Sequence, residues 1–343
     1  MQEDLKDIRR KILRWYRKNE RELPWRKTKD PYRIWISEVM LQQTRVSAVI
    51  PYFEKFIERF PTLKELSKAS IEDVYRVWQG LGYYKRARNL LETAKTCSTS
   101  LPANKKELER LPGIGNYTAS AIASIAYGER CAVVDGNVMR VLSRVFCLKV
   151  NGVKLQRKCE ELSLSLMGKS EPGRWNQALM ELGSEVCQPK NPKCEICPIH
   201  EECSALRKNV VLRFPPKKNK KEKKILHHVC VCSVWNRKIG VRRIPRDNWW
   251  EGLYEFPKTT KTSSESDGDI LRKLGCKKGI FLISLPHTIT NHKIFLNAYL
   301  TFERLPDVSY ITPRGLMNLP MPSAYRRVAT SLLESLDLSG RKK

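Results

Sequence analysis

A mostly α-helical chain followed by a smaller α+β domain is the fold class this sequence predicts, and three observations predict it. Apolar residues recur at helical spacing from residue 2 to about residue 210. A glycine-bearing turn, Leu111-Pro112-Gly113-Ile114-Gly115-Asn116-Tyr117, lies between two helix-forming segments. Beyond a lysine-rich stretch at residues 214–224 the pattern changes to short, β-branched and aromatic runs. At 343 residues the chain is long enough for two domains, each with its own core.

The elements follow in order. Leu5, Ile8, Ile12, Leu13 and Tyr16 mark a first amphipathic helix. Breaks at residues 21–26 and at Asp30-Pro31-Tyr32 precede a strongly apolar helix from Arg33 to Gln43. Pro51 and Pro61 bracket a helix whose face is Tyr52, Phe53, Phe56, Ile57 and Phe60. Ile71 to Trp78 is helical and leads into a glycine-hinged turn ending at Tyr83 and Tyr84; Arg86 to Cys97 is a basic helix. A polar helix from Asn104 to Arg110 then enters the Pro-Gly-Ile-Gly turn, and small residues from Thr118 to Ala126 form the helix after it. Gly113 and Gly115 permit backbone angles and close approaches that other residues disfavour. The N–H groups of the turn and of the next helix's first turn lack intrahelical partners, so they can hold a phosphate. The stretch is a candidate helix-hairpin-helix gripping a nucleic-acid backbone; taken alone, it reads equally well as an ordinary helix–helix turn. Val138–Phe146, Leu155–Met167 and Trp175–Val186 are three further helices, and no internal repeat is present. Residues 214–224 form a solvated linker. Strands are expected at 229–235, 239–244, 280–285 and 294–302, with helices near 269–274 and 325–336.

Charge narrows the partner. Lys and Arg total 64 against 36 Asp and Glu, a formal net charge of +28. So basic a chain points to a polyanion: DNA, RNA or an anionic membrane surface. No run of about eighteen apolar residues exists, so no spanning helix is expected. The first residues, Met1-Gln2-Glu3-Asp4-Leu5, lack the basic-then-apolar order of a signal peptide. Eleven cysteines, an odd count, do not form a secreted disulfide framework and fit a reducing compartment. Four of them are clustered as Cys187-x6-Cys194-x2-Cys197-x5-Cys203, and four thiols so placed suit either tetrahedral zinc or a [4Fe-4S] cluster.

Two carboxylates stand out. Glu38 sits within Ile34-Trp35-Ile36-Ser37-Glu38-Val39-Met40-Leu41, so apolar a helix that a carboxyl there should have a raised pKa, as a proton donor requires. A glutamate at a helix edge fits the same pattern. Asp135 follows the apolar run Cys131 to Val134 and precedes a helix, which is the position of an N-cap.

Several motifs in order carry a family resemblance. Leu23-Pro24-Trp25-Arg26, Ser37-Glu38-Val39-Met40-Leu41-Gln42-Gln43-Thr44 and Gly80-Leu81-Gly82-Tyr83-Tyr84-Lys85-Arg86-Ala87-Arg88 join the hairpin, Val134-Asp135-Gly136-Asn137-Val138 and the four-cysteine end. Together these resemble the endonuclease III superfamily of DNA glycosylases and, within it, the MutY-type adenine DNA glycosylases. The resemblance implies an iron-sulfur lobe at residues 1–24 and 131–214, a six-helix barrel with the hairpin at 25–130, a basic linker at 215–224 and a Nudix-like lesion-recognition domain at 225–343. It implies excision of adenine opposite 8-oxoguanine or guanine in double-stranded DNA, by a monomer of the bacterial cytoplasm, without a membrane. A [4Fe-4S] cluster on Cys187, Cys194, Cys197 and Cys203 is implied with it.

Roles are implied residue by residue. Glu38 would protonate adenine and later assist water. Asp135 would stabilise the oxocarbenium-like sugar or bond to it transiently, supported by Asn137. Tyr117 stands where the bifunctional lyases of the superfamily carry a lysine; a phenol cannot form their Schiff base, so the reaction would be monofunctional. Trp25, Arg26, Leu41 and Gln177 would line the adenine pocket, and Gln43 and Tyr83 would wedge into the base stack. Gly252-Leu253-Tyr254-Glu255-Phe256-Pro257 resembles the family's C-terminal domain, but residues 263–274 lack the paired glutamates of a magnesium-binding Nudix helix, so binding without hydrolysis is expected. The family's His-x-Phe-Ser/Thr-His loop corresponds here to His287-Thr288-Ile289-Thr290-Asn291-His292, with Ile for Phe and Asn for the second His unless His292 serves. Thr290, Asn291 and His292 are the candidate lesion readers. Two rival readings are a thymine-mismatch glycosylase and a non-catalytic DNA-binding homologue; Glu38 and the second domain argue against the first, the pair of carboxylates against the second.

Overall fold

In the computed structural model the described residues are 2–216 and 222–336. Parts of the expected linker and the last residues of the expected C-terminal domain therefore lie outside them. The chain divides into two units, residues 2–69 with 88–216, and residues 70–87 with 222–336. Among the described residues no helix is long and apolar enough to cross a membrane.

The first unit is helical. It holds α1 (Gln2–Asn19), α2 (Pro31–Leu41), α3 (Val46–Arg59) and α4 (Leu63–Lys68); α5 (Ile71–Trp78) is assigned to the second unit. There follow α6 (Lys85–Cys97), α7 (Lys105–Leu108), α8 (Asn116–Ala126), α9 (Gly136–Val145), α10 (Gly152–Met167), α11 (Pro172–Glu185) and α12 (Ser204–Arg207). Local chemistry sets the starts. Asp30 accepts from Tyr32 N–H ahead of Pro31 at the first turn of α2, and Asn104 caps α7 by accepting from Glu107 N–H. One expectation is corrected: Pro51 lies inside α3 rather than at its start. It removes one backbone donor, yet the buried Val49, Phe53 and Phe56 hold the helix through that position. A core of Ile8, Ile12, Tyr16, Val138, Leu142, Trp175, Leu179 and Leu182 joins α1, α9 and α11. Elsewhere α2 packs on α3 and α8.

The second unit is α+β. Its strands are β1 (Lys224–Trp235), β2 (Lys238–Arg243), β3 (Tyr254–Glu255), β4 (Lys258–Lys261), β5 (Ile280–Ile289), β6 (His292–Thr301) and β7 (Ser309–Ile311). Its helices are α5, α13 (Asp267–Lys273), α14 (Pro313–Asn318) and α15 (Ser323–Ser335). The sheet order is β3-β2-β1-β6-β5, with β4 on β1 and β7 on β2. β1 and β6 run parallel, pairing Val229 with Asn297; β5 and β6 form a hairpin closed at Ile289 and His292. Cys230, Cys232, Leu296 and Ala298 pack on one face against Tyr325, Val328 and Leu332 of α15, while Val229 and Val231 meet Ile270 and Leu271 of α13 on the other.

Candidate active site

The site lies in the helical unit. Glu38 is on α2, where residues 34–40 are all buried, and it is itself 6% exposed. Its Oε2 has no hydrogen-bond partner among the described residues. Burial pushes its carboxyl up to about 7; the Tyr117 hydroxyl and Arg26 charge oppose the shift, and the neighbouring Asp135 charge adds to it. Tyr117, in the first turn of α8, places its hydroxyl 3.3 Å from Met180 Sδ. Burial, with the charges of Glu38 and Asp135, raises the phenol well above its ordinary value, so it stays protonated.

Asp135 caps α9: Oδ1 accepts from Val138 N–H at 2.8 Å and Oδ2 from Asn137 Nδ2 at 2.8 Å. Asn137 Oδ1 in turn accepts from Arg140 Nη2 at 2.8 Å, and Arg140 also donates to the carbonyls of Gly183 and Cys187, each at 2.7 Å. A methyl group at Gly183 would sit 2.7 Å from Asn137 Cβ, so the close approach of α11 to α9 needs glycine there. Tyr117, Glu38 and Asp135 are thus electrostatic neighbours brought from α8, α2 and α9.

Among the pocket candidates, the charge of Arg26 reaches Glu38. Trp25 is buried, edge-on to Phe53 at 5.3 Å. Arg26 donates to Glu181 Oε2 at 2.8 Å and covers the Tyr16 ring at 5.6 Å, and Tyr16 donates to Gln177 Oε1 at 3.1 Å. Leu41 is half-buried at the end of α2. Glu181, absent from the sequence reading, is 1% exposed and accepts from Arg21 Nε and Nη2 at 2.7 Å each. Burial works to raise its pKa, but the hydrogen bonds and charges of Arg21 and Arg26 win and hold it at about 2. The sequence marks its burial alone, since it falls at the apolar spacing of Ala178 and Leu182.

The hairpin has a defined backbone. Gly113 has φ +73°, and a methyl group there would lie 2.3 Å from Asn89 Nδ2. Gly115 precedes α8 without a side-chain cap. Gln43 (φ +58°) and Tyr83 (φ +49°) both take the left-handed backbone unusual for their residue types, and both are exposed, Tyr83 at 51%. The Arg86 guanidinium lies over both Trp78 and Tyr83 at 5.4 Å and donates to the Leu81 and Gly82 carbonyls.

In the second unit the expected His287–His292 loop is shorter than the sequence suggests. β5 continues to Ile289, and only Thr290 and Asn291 form the turn. Thr290 is exposed at φ +48°. The Asn291 side chain donates to the Glu222 carbonyl at 2.9 Å, and His292 packs on Trp249 with ring centroids 4.9 Å apart.

Cys187, Cys194, Cys197 and Cys203 line one small cavity of about 30 Å³, among Val141, Val145 and Leu182. None of the four is in a disulfide. Burial pushes the Cys197 thiol up to about 12 and raises those of Cys194 and Cys203. Arg144, 2% exposed, donates to Cys187 Sγ at 3.3 Å and to the carbonyls of Gln188 and Pro189 at 2.8 and 3.1 Å. Among the described residues no three Cys, His, Asp or Glu are grouped so as to hold a single metal ion.

A glycine hairpin beside paired internal carboxylates is the arrangement of a helix-hairpin-helix repair domain. Residues 36–165 match the HhH-GPD superfamily base excision DNA repair protein family. The solved structure of a thermostable thymine-DNA glycosylase superposes with a TM-score of 0.56 and 29% identity, over 60% of this chain and 98% of that one. The adenine DNA glycosylase of Buchnera aphidicola subsp. Baizongia pistaciae is 40% identical over 297 residues, covering 83% of each chain. That of Buchnera aphidicola subsp. Schizaphis graminum is 38% identical over 258 residues, 72% of this chain and 73% of the relative. The chain belongs to the adenine DNA glycosylase family.

Proposed function

We infer that this protein excises adenine from DNA during base excision repair, hydrolysing the N-glycosidic bond of adenine paired with 8-oxoguanine or guanine. The observation that carries the chemistry is Glu38: a buried carboxyl pushed up to about 7, with Tyr117 and Asp135 as neighbours. Such a group holds a proton near neutrality and can give it to the departing base, leaving a carboxylate that assists water. Asp135, kept in place by Asn137 and the α9 N-terminus, stabilises the positive sugar or bonds to it transiently. Tyr117 supplies no amine, which supports hydrolysis without a lyase step. Trp25, Arg26, Leu41 and Gln177 receive the flipped base, while Gln43 and Tyr83 fill the stack it leaves. Their strained, exposed backbone supports that use. Gly113 and Gly115 hold phosphate at the hairpin.

A [4Fe-4S] cluster is supported by four thiols that line one cavity while, among the described residues, no three of them are grouped on a single point as lone zinc would need. Cys187, Cys194, Cys197 and Cys203 would hold it, and it would cross-link the loop that Arg144 anchors. The second unit reads the opposite base at the hairpin end formed by Thr290, Asn291 and His292, as a Nudix-like domain without hydrolysis. Duplexes with A opposite 8-oxoguanine, A opposite G and T opposite G, treated with alkali after incubation, test the reading. Strand breaks are expected at the adenine duplexes; breaks only at T opposite G would overturn it. Zinc without iron or sulfide in the purified protein would overturn the cluster.

A further inference from the structure

Three non-glycine residues at one end of the second unit's sheet take a left-handed backbone: Asp247 (φ +64°), Trp250 and Thr290. Thr290 (φ +48°) is the hairpin tip between β5 and β6. Trp250 (φ +65°) lies in the loop from residue 245 to 252. Left-handed angles are costly for a β-branched residue and unusual for an aromatic, and such strain persists where surrounding structure enforces it, often at ligand clamps. The loop is enforced at its base: Ile244 N–H donates to the Leu253 carbonyl at 2.8 Å and Gly252 N–H to the Ile244 carbonyl at 2.9 Å. Glu251 N–H closes an inner turn on the Asn248 carbonyl at 3.2 Å.

The strained residue sends two neighbouring indoles different ways. Trp250 turns inward, half-buried, against His287 at 5.9 Å and Tyr325 at 6.2 Å. Trp249 turns outward and remains 40% exposed, resting on His292 at 4.9 Å. His292 pairs with Ile289 across the hairpin, one residue from the Thr290–Asn291 turn. Its Nδ1 is buried without a hydrogen-bond partner among the described residues. Asn291, the polar side chain at the tip, spends its amide on the Glu222 carbonyl. The hairpin end therefore offers an exposed aromatic surface beside the hydroxyl of the exposed Thr290. Arg246 and Lys293 are exposed in the same loop and strand, beside the exposed Asp247, and Lys293 Nζ lies over the Phe295 ring at 5.0 Å. An exposed aromatic face is what nucleobase stacking requires.

We propose that Trp249 is a stacking residue for a DNA base, the one opposite the excised adenine, and that His292 is the positioning residue that holds the indole in place. This rests on the reading of the second unit as the opposite-strand reader. It differs from a hydrogen-bond reader at Asn291, because stacking accepts any purine face and leaves the choice between 8-oxoguanine and guanine to the Thr290 hydroxyl.

Three duplexes test it, each with adenine or a non-cleavable adenine analogue opposite 8-oxoguanine, guanine or a tetrahydrofuran spacer that has no base. Trp249→Ala should weaken binding to the two base-bearing duplexes by about tenfold and leave the spacer duplex unchanged. Trp249→Phe should restore most of the loss. The His292→Ala variant should reproduce the loss only when Trp249 is present, so that Trp249→Ala/His292→Ala is no worse than Trp249→Ala. Equal weakening on all three duplexes, or none on any, would overturn the proposal. Failure of the underlying reading is distinguishable: wild-type protein would then bind spacer and base-bearing duplexes alike.

Discussion

Helices α2 and α11 each bury one glutamate in the same unit, and the two glutamates are held in opposite states. Glu181 is 1% exposed but has two arginines, so it is a carboxylate held at about 2. Glu38 is 6% exposed, one of its oxygens is unpartnered, and its carboxyl is pushed up to about 7. Burial alone does not set the charge of a carboxyl; the partner set decides. The paired glutamate serves as architecture, tying the Arg21–Arg26 segment to α11. Glu38, without a paired arginine, keeps its proton near neutrality, as a proton donor needs.

Removing each side chain sharpens the contrast. Glu38→Gln should lower the single-turnover rate of adenine release by roughly a thousandfold or more, read by quenched-flow on an A:8-oxoguanine duplex. Its fold should not suffer. Glu181→Leu should do the reverse in kind, destabilising the protein by about 3–5 kcal/mol in denaturant unfolding because Arg21 and Arg26 lose their buried counter-charge. A neutral outcome for Glu181→Leu would break the comparison.

The pH dependence of stability separates the two again. The folded Glu38 pKa lies above its ordinary 4.5, so the native state binds the extra proton. Stability from this group is full below about 4.5 and is lost as pH rises through about 7, a total of about 3 kcal/mol. Glu38→Gln should therefore gain stability over wild type between those limits and keep the gain above them. Glu181 has the opposite sign: its depressed pKa contributes stability above about 4.5 that is lost as pH falls toward about 2. Thermal melts of both variants across pH check the two signs. A smaller effect is expected at the hairpin. Gly113→Ala meets Asn89 and an unfavourable φ, and should cost about 1–2 kcal/mol while weakening binding to every duplex alike.

Much of this arrangement was legible in sequence where a repeat or a special residue marked it. The long helices followed their apolar spacing, and Gly113 and Gly115 marked the hairpin because few other residues fit there. The cysteine spacing marked the cavity. Strands β3, β4 and β7 were not legible, since runs of two to four residues carry too little alternation to stand out. Pro51 misled because tertiary packing held α3 through it. Glu181 was missed because a pair is a property of two distant segments, residues 21–26 and 181, and spacing within one helix does not reveal its partner. Trp249 was missed for a related reason: which of two adjacent indoles faces outward depends on the left-handed turn at Trp250.

The single-turnover rate of adenine release, measured on one A:8-oxoguanine duplex from about pH 6 to about pH 9, bears on Glu38 most directly. With Glu38 as the proton donor the rate holds below about 7 and falls about tenfold per unit above it. A rate that stays level through about pH 9 would contradict a Glu38 that must carry the proton.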